Sequence, residues 1–141
     1  MRQASLFDFS ANLASVLPAV KAAMRMVAGA PEGEGRKSLP DKINAVASSS
    51  GVRLTAGNTR MVSKDTLDKW LSPSDGSHPP SILAVLAFCA ATGDHAPLRA
   101  MLRCVGLDVM TPDERKLCEY GRTLLEQKKV KRRLRKLEEE L

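Results

Sequence analysis

Hydrophobic positions along this chain recur mostly at steps of three and four, the period of an amphipathic helix. Leu13, Val16, Leu17, Val20, Met24 and Val27 form one such stripe and predict a first helix over about residues 7–28. Pro18 lies inside it, which predicts a kink or a restart after a short N-terminal turn. Residues 29–37 hold three glycines and a proline without periodicity and read as a mobile loop. A second helix is expected to start near residues 38–41, with Pro40 in its first turn and Asp41 at the positive end of its dipole. Ile43, Val46 and Ala47 give its buried side, and residues 48–51 stop it.

The next stretch breaks the helical period. Val52 and Leu54 alternate with polar residues, and Gly57-Asn58 is a turn signal, so residues 52–61 read as a short extended excursion or a tight hairpin. A third, short helix then follows Ser63, a good N-cap, with Val62 and Leu67 placed as a hydrophobic staple. Leu67, Trp70 and Leu71 line one face, and the run Ser72-Pro73-Ser74-Asp75-Gly76 ends it. A fourth helix is expected from about residue 80 to 92. Ile82, Val85, Leu86 and Cys89 share a face there, Leu83 and Phe88 flank it, and the whole should be the most buried segment. Gly93 ends it and Asp94 caps a fifth helix, with Leu98, Met101, Leu102 and Val105 inward and Gly106 as the stop. Thr111-Pro112-Asp113-Glu114 is a capping box for a last helix reaching toward Leu141, roughly 45 Å long at 1.5 Å per residue. The pattern therefore predicts an all-α fold. A helical domain over 1–107 is followed by a C-terminal basic oligomerisation helix over 108–141.

Composition sharpens this. The formal net charge of +6 over 141 residues points to a polyanionic partner, nucleic acid first and an anionic membrane surface second. Three cysteines, Cys89, Cys104 and Cys118, form no C-x-x-C pair and no even set, which fits a reducing compartment. The N-terminus does not read as a signal peptide, and no apolar run approaches the roughly 20 residues of a membrane span. A cytoplasmic protein is expected, with no membrane partner.

A helix, a connection and a sharply capped short helix over residues 43–71 have the layout of a helix-turn-helix. One face of the second helix anchors in the core. The other offers Lys64, Asp65, Thr66, Asp68 and Lys69, where base edges and phosphates come within reach. The two lysines alternate with two aspartates, so this helix is nearly neutral, and the connection is longer than a tight turn. A plain surface helix in a bundle is the alternative.

The segment Val62-Ser-Lys-Asp-Thr-Leu-Asp-Lys-Trp-Leu-Ser-Pro-Ser-Asp, then His78-Pro-Pro, then Leu86-Ala-Phe-Cys-Ala-Ala-Thr-Gly-Asp, resembles small regulator-type proteins of Mu-like prophages. These belong to the broad lambda-repressor-like helix-turn-helix group. The resemblance covers about residues 43–141. It implies the fold and a DNA-binding regulator of transcription from phage or prophage genes, reading duplex DNA with residues 63–71 in the major groove. Ser63, Lys64, Thr66 and Lys69 would then face DNA, with Arg53 and Arg60 on adjacent phosphates. Trp70 reads as a core anchor rather than a stacking platform.

Residues 128–136 carry seven cations: Lys128, Lys129, Lys131, Arg132, Arg133, Arg135 and Lys136. Val130, Leu134, Leu137 and Leu141 step by four, three and four, a short coiled-coil seam. Arg132, Arg133 and Arg135 either track phosphates or form the solvated face of an oligomerisation helix. A homodimer or higher homo-oligomer is expected. Chemistry is not. His78 and His95 have no Cys or Asp at triad-like or zinc-like spacing, and the glycine-rich stretches match no nucleotide loop. The pattern argues against an enzyme, and no catalytic residue, metal, cofactor or small-molecule substrate is expected. Two further readings stand beside DNA reading. One is an assembly protein using the same scaffold for protein contacts, and the other is a non-specific nucleic-acid binder working through its basic tail.

Overall fold

The structure, a computed structural model, describes residues 6–56 and 61–141, with side chains from residue 13 onward. The protein is all-helical: α1 (Leu6–Ala28), α2 (Glu34–Ser50), α3 (Lys64–Leu71), α4 (Ile82–Thr92), α5 (Ala96–Arg103) and α6 (Pro112–Glu139), with no strand among the described residues. The chain divides into two compact units, Met1–Val109 and Met110–Leu141.

In the first unit α1 packs mainly on α5 and α2 on α4, with α3 held against α1 and α2. Val20, Met24, Leu39, Ile43, Leu67, Trp70, Leu71, Val85 and Phe88 form the core. α1 therefore belongs to this core and runs through Pro18 as one helix, without the restart its sequence allows. Its stripe is buried only from Val20 onward, whereas Leu13 and Leu17 are exposed.

α2 begins at Glu34, ahead of the expected start, so the last four residues of the glycine-rich run are helix and only residues 29–33 are loop. Pro40 consequently sits inside the helix and Asp41 is exposed beyond its first turn. The cause is tertiary. Arg36 and Leu39 are buried, and Arg36 is bound to α3, so contacts outweigh weak local propensity. Gly51 closes α2 with a φ of 65°, the left-handed conformation that glycine adopts without strain. Residues 52–56 have no regular structure, and Leu54 is buried. The Gly57-Asn58 turn lies outside the described residues.

α4 also departs from its sequence reading. Ala84, Val85, Ala87, Phe88 and Cys89 are buried, whereas Ile82, Leu83 and Leu86 are exposed. A helix apolar on every side carries no periodic signal to say which face turns inward. Gly93 ends α4 in the left-handed conformation, and the Ala96 N–H donates to Asp94 Oδ1 at 2.9 Å. In α5 Leu98 and Met101 pack on the core, but Val105 lies past the helix end and is exposed. No helix of the described residues is long and apolar enough to cross a membrane.

Candidate nucleic-acid interface

α3 is anchored from below and pinned at both ends. Leu67, Trp70 and Leu71, at positions i, i+3 and i+4, are all buried. At the start, the Thr66 N–H donates to Ser63 Oγ at 3.1 Å, so Ser63 is the N-cap expected. One residue earlier, the Val62 N–H donates to Asn44 Oδ1 at 2.7 Å and Asn44 Nδ2 donates to the Val62 carbonyl at 2.9 Å. α2 thus grips the backbone that leads into α3.

At the other end the last carbonyls of a helix lack partners and carry the negative end of its dipole. Two cations of α1 answer them. Lys21, only 4% exposed, donates from Nζ to the carbonyls of Ser72 at 3.0 Å, Asp75 at 2.6 Å and Lys69 at 3.5 Å. Arg25 Nη1 donates to the Leu71 carbonyl at 2.8 Å. Sequence reasoning missed Asn44, Lys21 and Arg25. The available signal was a polar residue set within an apolar stripe: Asn44 beside Ile43, and Lys21 between Val20 and Met24.

The outward side of α3 presents Lys64, Asp65 and Lys69, all exposed. Thr66 is half-buried, with its hydroxyl 3.0 Å from that of Ser63. Asp68 is not part of an open surface of unopposed charge, because Arg36 Nη2 meets its Oδ1 at 2.8 Å while Arg36 Nη1 reaches the Gly29 carbonyl at 3.3 Å. The outward face therefore holds two lysines against one unpaired-by-Arg36 acid, Asp65. At about 100° per residue, Thr66 and Lys69 lie close together around the helix, whereas Lys64 and Thr66 are some 160° apart. Accordingly Thr66 and Lys69 line a cleft of about 450 Å³ with Leu54, Thr55, Ala56, Ser77, His78 and Pro79, and Lys64 does not. Arg53 is exposed on the segment leading into that cleft. Arg60 lies outside the described residues.

Beyond α3 the chain is folded around Asp75. Its Oδ1 accepts from the N–H groups of Ser77 at 2.9 Å and His78 at 3.0 Å, and the His78 ring lies 3.3 Å away. Burial by itself raises the Asp75 carboxyl, but the two N–H groups and the His78 ring together hold it below its ordinary value. The sequence spacing did not reveal this His–Asp contact, because it follows from the loop's own turn. Asp108 is likewise held low, first by the Val109 N–H, against a raising contribution from burial, and then by Arg103 and Arg99. Burial raises the Cys89 thiol. Among the described residues no three His, Cys, Asp or Glu side chains are grouped to hold a metal ion.

α6, taken by itself, is capped as its sequence predicts: the Glu114 N–H donates to Thr111 Oγ1 at 3.2 Å. It runs 28 residues to Glu139, so Leu141 lies just past its end. It has no buried residue, and Val130, Leu134 and Leu137 are each more than half exposed. Arg132, Arg133 and Arg135 are exposed on the same helix. Compared with family models, with curated proteins and with solved structures, the chain finds no match in any of the three.

Proposed function

We propose that this protein is a DNA-binding regulator of the helix-turn-helix type, a binding protein rather than an enzyme, that reads duplex DNA with α3. The observation that carries this reading is the Arg36–Asp68 ion pair. By engaging one of the two aspartates of α3, it leaves an outward face on which cations outnumber acids. Near-neutrality was the main objection to α3 as a reader, and the pair weakens it. Short polar groups at the N-terminal end of a rigidly held helix suit base edges, while Lys69 and Arg53 suit phosphates. The cations of α6 add sequence-independent attraction. By the resemblance of residues 43–141, the regulated genes would be those of a phage or prophage.

The test is a salt titration of binding to a selected duplex site and to a scrambled one. Replacing Thr66, on the cleft side of α3, by Ala should lower the ratio of specific to non-specific affinity. Replacing Arg132 and Arg135 by Gln should weaken binding to every sequence alike and flatten the log–log salt slope by roughly one unit per lost phosphate contact. A wild-type protein that binds no duplex at low salt would overturn the reading. The assembly-protein reading would then take its place, favoured by the exposed apolar Ile82, Leu83 and Leu86 of α4.

A further inference from the structure

A seam longer than the one formed by Val130, Leu134 and Leu137 runs along α6. Leu117, Tyr120 and Leu124 are also exposed, and they step by three and four. Gln127 stands three residues from both Leu124 and Val130 and joins the two runs into one line from Leu117 to Leu137. The extra three-residue step at Gln127 is a stammer, a local overwinding that coiled coils accommodate. The six apolar side chains leave on the order of 600 Å² in water, at the upper end of the largest patch a typical monomer exposes and approaching the roughly 800 Å² per partner of a standard interface.

Charge identifies the occupant. Taking Gln127 and Leu134 as a positions and Val130 and Leu137 as d positions, the g positions are Glu126 and Arg133 and the following e positions are Lys131 and Glu138. In a parallel, in-register pair each g side chain meets the e side chain five residues on in the other helix. That sets Glu126 against Lys131 and Arg133 against Glu138, opposite charges in both cases and twice over by symmetry. The antiparallel alignment that pairs Val130 with Leu134 would instead set Arg133 against Arg133 and Lys131 against Lys131. The remaining cations, Lys128, Lys129, Arg132, Arg135 and Lys136, all fall at b, c and f positions, opposite the seam.

We infer that α6 pairs with α6 of a second copy of this chain as a parallel, in-register two-stranded coiled coil. Gln127 supplies the polar layer that fixes the register, and Arg133 belongs to the partner helix rather than to a phosphate. The five outward cations form a basic ridge on each side of the pair. This inference does not depend on DNA reading by α3.

The test uses the full chain with Cys104→Ser and Cys118→Ser, to remove the two cysteines that are not buried. Sedimentation equilibrium should show a dimer. Mild oxidation of a Leu137→Cys variant, at a d position, should give the covalent dimer, and a Lys129→Cys variant, at a c position, should not. Arg133→Glu should raise the dimer dissociation constant about tenfold, and adding Glu138→Arg should restore it. Arg133 also neighbours Lys129 and Lys136 on its own helix, so circular dichroism of each variant, diluted to monomer, separates a change in the lone helix from a change in pairing. A monomer at about 100 μM would overturn the pairing. Equal cross-linking from both cysteine positions, or a dimer indifferent to the charge swap, would overturn the parallel register.

Discussion

The side-chain amide of Asn44 makes both of its hydrogen bonds to one residue, Val62, giving to its carbonyl and taking from its N–H. This is the pairing one strand residue offers another, made here by a side chain. Both partners are buried, so neither backbone group has water to fall back on.

Asn44→Ala should therefore leave a buried N–H and a buried carbonyl unsatisfied and cost about 2–4 kcal/mol. Chemical denaturation would measure it. A loss below about 0.5 kcal/mol would mean that residues 61–63 find other partners once the amide is gone.

Lys21→Met should keep the aliphatic volume of a 4% exposed side chain while removing the donor to the Ser72 and Asp75 carbonyls. The expected loss is about 2–4 kcal/mol, with the segment after α3 loosened first. Amide exchange across residues 72–78 would register that loosening. Unchanged protection there would show that Asp75 organises the segment alone.

Trp70→Ala should cost about 3–5 kcal/mol, since a 4% exposed indole is replaced by a cavity beneath α3. Thermal melting reads this directly. An unchanged melting temperature would place the ring in solvent and reopen a stacking role.

Stability should fall in acid. Asp75 and Asp108 are both held below their ordinary value in the folded chain. A group lowered by folding contributes stability above its unfolded value and loses it as pH drops through the folded one. The melting temperature should be level above about pH 5 and decline below about pH 4. The double variant Asp75→Asn, Asp108→Asn should be less stable at neutral pH and show a smaller acid decline. An equal decline in both proteins would assign the acid sensitivity to other carboxylates.

What was legible in the sequence was local. Ser63 with Thr66, and Thr111 with Glu114, announce helix starts because a cap and the N–H it accepts from lie three residues apart. Leu67, Trp70 and Leu71 announce a buried face because their spacing matches one turn. The start of α2 was not legible, since its first turn is held by Arg36 reaching Asp68, 32 residues away. The pinning of α3 by Lys21 was hidden for the same reason, at separations of 48 to 54 residues. In α4 the difficulty was different: eleven residues without a charge give no contrast from which an inner face can be read.

α3 is held from beneath, from its ends and through Asp68: three side chains lie below, Asn44 acts before it, Lys21 and Arg25 after it, and Arg36 binds Asp68. Positions 64, 65 and 69 thus contribute their backbone to the fold and their side chains only to the outside. α3 behaves as an exchangeable cassette. A library randomised at those three positions should consist largely of folded proteins with the parent melting temperature, so that surface preference can be rewritten without redesigning the scaffold beneath it.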